Sequence, residues 1–149
     1  MELAKIINGL KNNYKKHQFS ALKLNSKECR YGDVFFAIKG LKKNGNFYIK
    51  DAINNGAKTI ISDNKFQGFK DDVLYLKQKK PRKFLALLAS KIYKNKPKNL
   101  IAVTGTNGKS SVADFYYQIL KLNNKRVASI GTLGVKSKNF NSDLSNTTI

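Results

Sequence analysis

The run Val103-Thr104-Gly105-Thr106-Asn107-Gly108-Lys109-Ser110-Ser111 joins small residues, one lysine and adjacent hydroxyls in the pattern of a phosphate cradle. Gly105, Thr106, Asn107 and Gly108 leave backbone N–H groups able to turn toward anionic oxygens. Lys109 would place a mobile ammonium near β- and γ-phosphates, and the Ser110 hydroxyl, with Ser111 beside it, can ligate Mg²⁺. The chemistry implied is the binding of ATP with Mg²⁺, with Lys109 in the catalytic role of neutralising the transferring phosphate. The match to G-x-x-x-x-G-K-[ST] is imperfect, because Val103 stands five residues before Gly108 and the first glycine is Gly105. This is a variant P-loop. A Gly-rich turn of purely structural purpose is the alternative, but G-K-S at a strand-to-helix junction has few structural reasons to occur.

Such a loop needs an apolar strand before it and a helix after it. Residues 100–103 form a short apolar run, and Val112, Phe115, Tyr116, Ile119 and Leu120 recur at helical spacing. The helix would add its positive dipole end to the cradle. A further strand over 126–130 predicts the opening of a parallel α/β sheet with a right-handed crossover.

Upstream, Leu3, Ile6, Ile7 and Leu10 predict a short amphipathic helix, and residues 21–24 and 33–38 read as strands, with Phe35 and Phe36 in the core. Helical spacing over 48–55 stops at Gly56. Apolar runs at 59–62 and 73–76 predict further strands, and Pro81 opens a helix through Tyr93. The polar, proline-containing stretch 94–99 is the expected domain boundary, giving domains 1–96 and 97–149. The fold class is therefore α/β: a small N-terminal α/β domain followed by the truncated start of a P-loop parallel-sheet ATP-binding domain. Tyr116 and Tyr117 fit helix packing better than base stacking.

The chain has 149 residues, 41% of them hydrophobic and 11% aromatic, which is ample for a packed core. No segment reaches the roughly 18 apolar residues needed to span a bilayer, so we expect no membrane partner and a cytoplasmic location. Its 29 basic and 9 acidic residues give a formal charge of +20. The lysines are spread along the whole length without a basic arm or helix, which disfavours nucleic acid as the primary partner. A positive field also suits phosphorylated ligands. The single cysteine, Cys29, excludes an internal disulfide and reads as a small, partly buried residue. The lone His17, between Lys16 and Gln18, reads as a solvated surface residue.

Leu24-Asn25-Ser26-Lys27, then Gly32-Asp33-Val34-Phe35-Phe36-Ala37-Ile38-Lys39-Gly40, then Asn44-Gly45, Tyr48-Ile49, Ala52-Ile53 and Gly56-Ala57 form a series of short motifs. Together they resemble the Mur ligase family, ATP-dependent enzymes that add amino acids to the peptidoglycan precursor. They are similar to the N-terminal UDP-binding domain of the family, and Thr104 to Ser110 is similar to its ATP loop. The ATP loop alone also resembles that of folylpolyglutamate synthetases, so the upstream motifs narrow the choice. Ile130-Gly131-Thr132-Leu133-Gly134, followed by Asn146-Thr147-Thr148, is similar to the tripeptide-forming branch.

The resemblance implies a substrate, UDP-N-acetylmuramoyl-L-Ala-D-Glu, and ATP. Leu24 and Ser26 would contact the uridine nucleotide, Lys42 and Lys43 would lie near the uracil or diphosphate, and Asn146, Thr147 and Thr148 would bind the muramoyl dipeptide. In the family reaction ATP phosphorylates the D-Glu carboxylate, and a diamino acid, meso-diaminopimelate or L-lysine, displaces phosphate to form the amide. Two departures stand out: Asn25-Ser26-Lys27 replaces Asp-Ser-Arg, and Ser110-Ser111 replaces a threonine pair. Serine keeps the hydroxyl, whereas Lys27 loses the bidentate fork of arginine.

The resemblance further implies that the family's acidic metal ligand, modified lysine, adenine contacts and C-terminal domain would follow Ile149. The chain alone is therefore expected to be a catalytically incompetent ligase fragment, and a monomer. Two other readings remain open at this level. One is a stand-alone UDP-sugar or nucleotide-binding module. The other is a basic nucleic-acid-binding protein, whose binding would depend strongly on salt and survive Lys109→Ala.

Overall fold

The computed structural model describes residues 2–3, 7, 14, 16–40 and 43–143. The chain divides into two compact units, Met1–Lys96 and Pro97–Ile149.

The first unit is organised by the apolar runs identified above. Strand β1 (Leu22–Lys23) pairs in parallel with β2 (Val34–Ala37), β2 with β3 (Thr59–Ser62), and β3 with β5 (Val73–Lys77). Strand β4 (Gly68–Lys70) closes the sheet antiparallel to β5, giving the order β1-β2-β3-β5-β4. The register sets Val34 against Leu22 and Thr59, and Ile60 against Phe35 and Tyr75.

Parallel strands buried on both faces read as continuous apolar runs, and β2 and β3 are buried at every position. The pleat sorts these residues between two clusters. Val34, Phe36, Ile61, Leu74 and Leu76 meet Leu3, Phe19 and Leu88, the last from helix α2 (Pro81–Ile92). Phe35, Ala37, Ile60 and Val73 meet Cys29, Ala57 and Ala52, the last from helix α1 (Ile49–Asn54). Burial of Phe35, Phe36 and Cys29 follows the sequence expectation, and Pro81 opens α2 at its first turn. Each fully buried large side chain contributes about 1.5–3 kcal/mol through removal from water. The amphipathic helix expected around Leu3 to Leu10 falls largely outside the described residues.

Asp33 explains why its segment turns into β2 as it does. Its buried carboxylate accepts from Ala21 N at 3.0 Å and from Arg30 N at 3.0 Å, which ties the approach to β1 to the turn before β2. Gly45 serves the other end of β2. A Cβ there would lie 2.5 Å from Ile38 N, so only glycine lets the loop fold back against the strand, with Gly45 N donating to Ile38 O at 2.9 Å.

The second unit contains helix α3 (Lys109–Leu122) and a three-stranded antiparallel meander of β6 (Ala128–Gly131), β7 (Gly134–Ser137) and β8 (Asn141–Ser142). Helix α3 begins where the sequence pattern places it, and β6 overlaps the strand expected at 126–130. The expected strand at 100–103 and its parallel pairing are corrected. Those residues carry no ladder among the described residues, and Leu100 is 87% exposed. An apolar run becomes a strand only when a neighbour accepts and donates its backbone hydrogen bonds, and here β6 pairs with β7 instead. Tyr117, 7% exposed, is the only large apolar side chain buried in this unit among the described residues, and Tyr116 is exposed. Among the described residues no helix is long and apolar enough to cross a membrane.

Candidate functional site

The glycine-rich loop of the second unit leads directly into α3. Gly108 is the N-cap, with φ 75 and ψ −4, a left-handed conformation that favours glycine. A Cβ at Gly108 would meet nothing within 4 Å, so the glycine answers to backbone conformation, and the space beside it is open. Among the described residues no side chain caps α3, and its first turn carries no acid. The first N–H groups of the helix and its positive dipole end are thus left to an outside anion.

Lys109 Nζ donates to Gly105 O at 2.6 Å and to Thr106 O at 3.0 Å, so the ammonium lies over the loop's own carbonyls. Ser110 Oγ lies 2.6 Å from Thr132 Oγ1, in the turn between β6 and β7. One helical turn on, Asp114 accepts from Lys136 Nζ at 2.6 Å and from Gln118 Nε2 at 2.6 Å. The hydrogen bond from Lys136, followed by that from Gln118, holds the Asp114 carboxyl below the usual carboxylate range. Gly105, Thr106, Gly108, Lys109 and Ser110 are therefore drawn into one constellation. Asn107 and Ser111 are exposed beside it.

This donor set fits a magnesium ion in a restricted way. Among the described residues no group of three or more His, Cys, Asp or Glu side chains could hold a metal. Mg²⁺ ordinarily keeps several waters and takes few protein ligands beside the substrate phosphates, which the single Ser110 hydroxyl satisfies.

In the first unit, the loops after β1 and β2 lie at the carboxyl ends of parallel strands, the edge at which open α/β sheets bind ligands. Leu24 is 44% exposed there, while Ser26 is 6% exposed and opens a short 3-10 turn, Ser26–Glu28. Asn25 caps that turn by accepting from Lys27 N at 3.1 Å, and Asn55 Nδ2 donates to Ser26 O at 3.1 Å. Lys43 is exposed, its carbonyl accepting from Gly40 N at 2.8 Å. Lys42, Asn146, Thr147 and Thr148 lie outside the described residues.

Sequence reasoning missed Asn46 in the next turn. Its Nδ2 donates to Asp63 Oδ1 at 3.0 Å, and its Oδ1 is buried without a hydrogen-bond partner among the described residues. The only signal was its place between the Asn44-Gly45 and Tyr48-Ile49 segments. His17 is corrected. It is half-buried, with Nε2 2.8 Å from Thr59 Oγ1 and its ring packed edgewise on Phe69. Burial pushes its pKa down. Beside it a cavity of about 650 Å³, also lined by Ser20, Lys58 and Asp72, opens at the amino ends of the strands. That edge is opposite to Leu24, Ser26 and Lys43. Burial, followed by the charge of Asp33, pushes the Cys29 thiol up, as befits an unreactive core group.

Residues 18–93 match the Mur ligase family, catalytic domain, and residues 103–148 match the Mur ligase middle domain. Over 127 residues the chain is 47% identical to the UDP-N-acetylmuramoyl-L-alanyl-D-glutamate--2,6-diaminopimelate ligase of Rickettsia montanensis, covering 85% of this chain and 26% of that protein. The ligase of the same name from Agrobacterium fabrum (strain C58 / ATCC 33970) is 37% identical over 118 residues, covering 79% of this chain and 24% of that protein. The chain thus spans about a quarter of the length of these curated relatives.

Among solved structures, MurF ligase from Thermotoga maritima in complex with ADP is 35% identical, with a TM-score of 0.52 over 74% of this chain and 24% of that one. A UDP-N-acetylmuramoyl-L-alanyl-D-glutamate--2,6-diaminopimelate ligase, 20% identical, shares the fold with a TM-score of 0.69 over 95% of this chain and 30% of that one. With a buried two-faced sheet in one unit, an uncapped glycine-led helix in the other, and family matches over both, the chain belongs to the Mur ligase family.

Proposed function

We propose that this chain supplies the uridine-nucleotide-binding domain, residues 1–96, and the ATP loop, within residues 97–149, of a peptidoglycan-precursor ligase. The reaction joins a diamino acid, with diaminopimelate favoured by the names of the relatives, to UDP-N-acetylmuramoyl-L-Ala-D-Glu at the expense of ATP. The observation that carries this reading is the Lys109 ammonium lying over the Gly105 and Thr106 carbonyls at the uncapped start of α3.

Transfer of the γ-phosphoryl group to the D-Glu carboxylate brings two anions together, so the protein's main task is neutralisation and alignment. Lys109 moves from the loop carbonyls to the phosphate oxygens. The N–H groups at Gly108 through Ser111 donate to the same phosphate oxygens without having to reorganise in the transition state. Ser110 would hold Mg²⁺, which would supply neutralisation of phosphate charge. Leu24, Ser26 and Lys43 hold the uridine end, with Lys42, and Asn146, Thr147 and Thr148 hold the dipeptide end.

Titration calorimetry of the 149-residue chain with ATP and Mg²⁺, and separately with UDP-N-acetylmuramoyl-L-Ala-D-Glu, tests the reading. Lys109→Ala should weaken ATP binding at least about tenfold, as expected for a lost charge-assisted contact, and leave the UDP-linked ligand unaffected. Equal ATP affinity in Lys109→Ala would overturn it.

A further inference from the structure

The meander of the second unit is fastened to α3 at two points in matching register. Ser110 meets Thr132, and Asp114 meets Lys136, each pair 22 residues apart in sequence. Ser110, Asp114 and Gln118 follow one another at four-residue steps along one ridge of the helix, and Gln118 braces Asp114 from the far side. Thr132 itself sits in the two-residue turn closed by the Gly131 and Gly134 pairing, and as a β-branched residue it has little χ1 freedom. The turn therefore presents the Thr132 hydroxyl to the first turn of α3.

A serine hydroxyl has one proton and two lone pairs, and it ligates a cation only through a lone pair. An unrestrained rotor points its proton into the site part of the time. We infer that Thr132 is a positioning residue for the phosphate loop: its Oγ1 accepts the Ser110 proton, which turns a Ser110 lone pair toward the cation. The Lys136–Asp114 ion pair, 2.6 Å long, sets the height of the turn along the helix. Nothing about Thr132 touches nucleotide in this scheme; it acts through Ser110. The inference rests on the reading of the loop as an ATP site.

The test is a titration of the 149-residue chain with fluorescent N-methylanthraniloyl-ATP over a Mg²⁺ series and in EDTA. Thr132→Val should raise the Mg²⁺ concentration for half-maximal binding about tenfold, the order expected for loss of one hydrogen bond, and leave binding in EDTA unchanged. Thr132→Ser should restore the Mg²⁺ dependence to within about twofold, and Thr132→Val should have no further effect once Ser110→Ala is present. Thr132→Ala gives the same comparison if the valine variant does not fold. An unchanged Mg²⁺ dependence, or an equal loss in EDTA and in Mg²⁺, overturns the inference. In those cases a binding loss in Lys109→Ala leaves the ATP-loop reading intact, whereas full binding in Lys109→Ala overturns both.

Discussion

The two units use apolar residues in opposite ways. In the first, β2 and β3 lie buried on both faces between clusters that include α1 on one side and α2 on the other. In the second, Val112, Phe115, Ile119 and Leu122 recur at helical spacing along α3 and are all exposed. The first unit's sequence pattern is satisfied by its own elements. The second unit's pattern is written for burial, yet the described elements around it do not provide that burial. Its glycine-rich loop, by contrast, is organised locally: Lys109 donates to the Gly105 and Thr106 carbonyls within a single loop and helix turn.

This contrast is sharpened first by a pair of truncations. Phe36, 1% exposed, should cost about 3–5 kcal/mol when replaced by alanine, whereas Phe115, 61% exposed, should cost under about 0.5 kcal/mol. Urea unfolding followed through amide resonances of β2 and of α3 reads both. A large effect at Phe115 would show that α3 is packed as firmly as the sheet, and the contrast would break.

A smaller effect comes from His17. Burial lowers its folded pKa beneath the ordinary 6.5, so between that lowered value and 6.5 the unfolded chain binds more protons. The first unit should therefore be fully stable with respect to this group above about pH 6.5 and lose stability as pH falls through that window. His17→Gln, which keeps a partner for the Thr59 hydroxyl, should remove this component, as measured by thermal unfolding across pH 5 to 8. An unchanged pH profile would mean that His17 is solvated after all.

Most of the first unit was legible because its signals are self-contained. The runs around Val34 and Ile60 have no polar alternative face, and Pro81 marks a helix start by removing a donor that needs no partner there. Lys109 and Ser110 were legible because loop chemistry depends on neighbours in sequence. What escaped depends on distant partners. His17 is half-buried and meets Thr59, 42 residues away, and Thr132 meets Ser110 across 22. Residues 100–103 have strand composition, but composition does not supply a ladder. The β7 and β8 strands are short and polar enough that no alternation announces them. Asn46 has a side-chain oxygen with no partner among the described residues, in a fold-back fixed by Gly45 that no local pattern encodes.

On the function proposed above, the chain carries two nucleotide-recognition surfaces, one in each unit. The most direct measurement is a ¹H–¹⁵N correlation spectrum of the 149-residue chain titrated with Mg²⁺–ATP and, separately, with UDP-N-acetylmuramoyl-L-Ala-D-Glu, at low and at physiological salt. ATP should shift the amides of Gly105 to Ser111 at both salts, while the UDP-linked ligand should shift those of Leu24, Ser26 and Lys43. Shifts scattered over lysines of both units and abolished by salt would contradict it, leaving only a basic surface that attracts any polyanion.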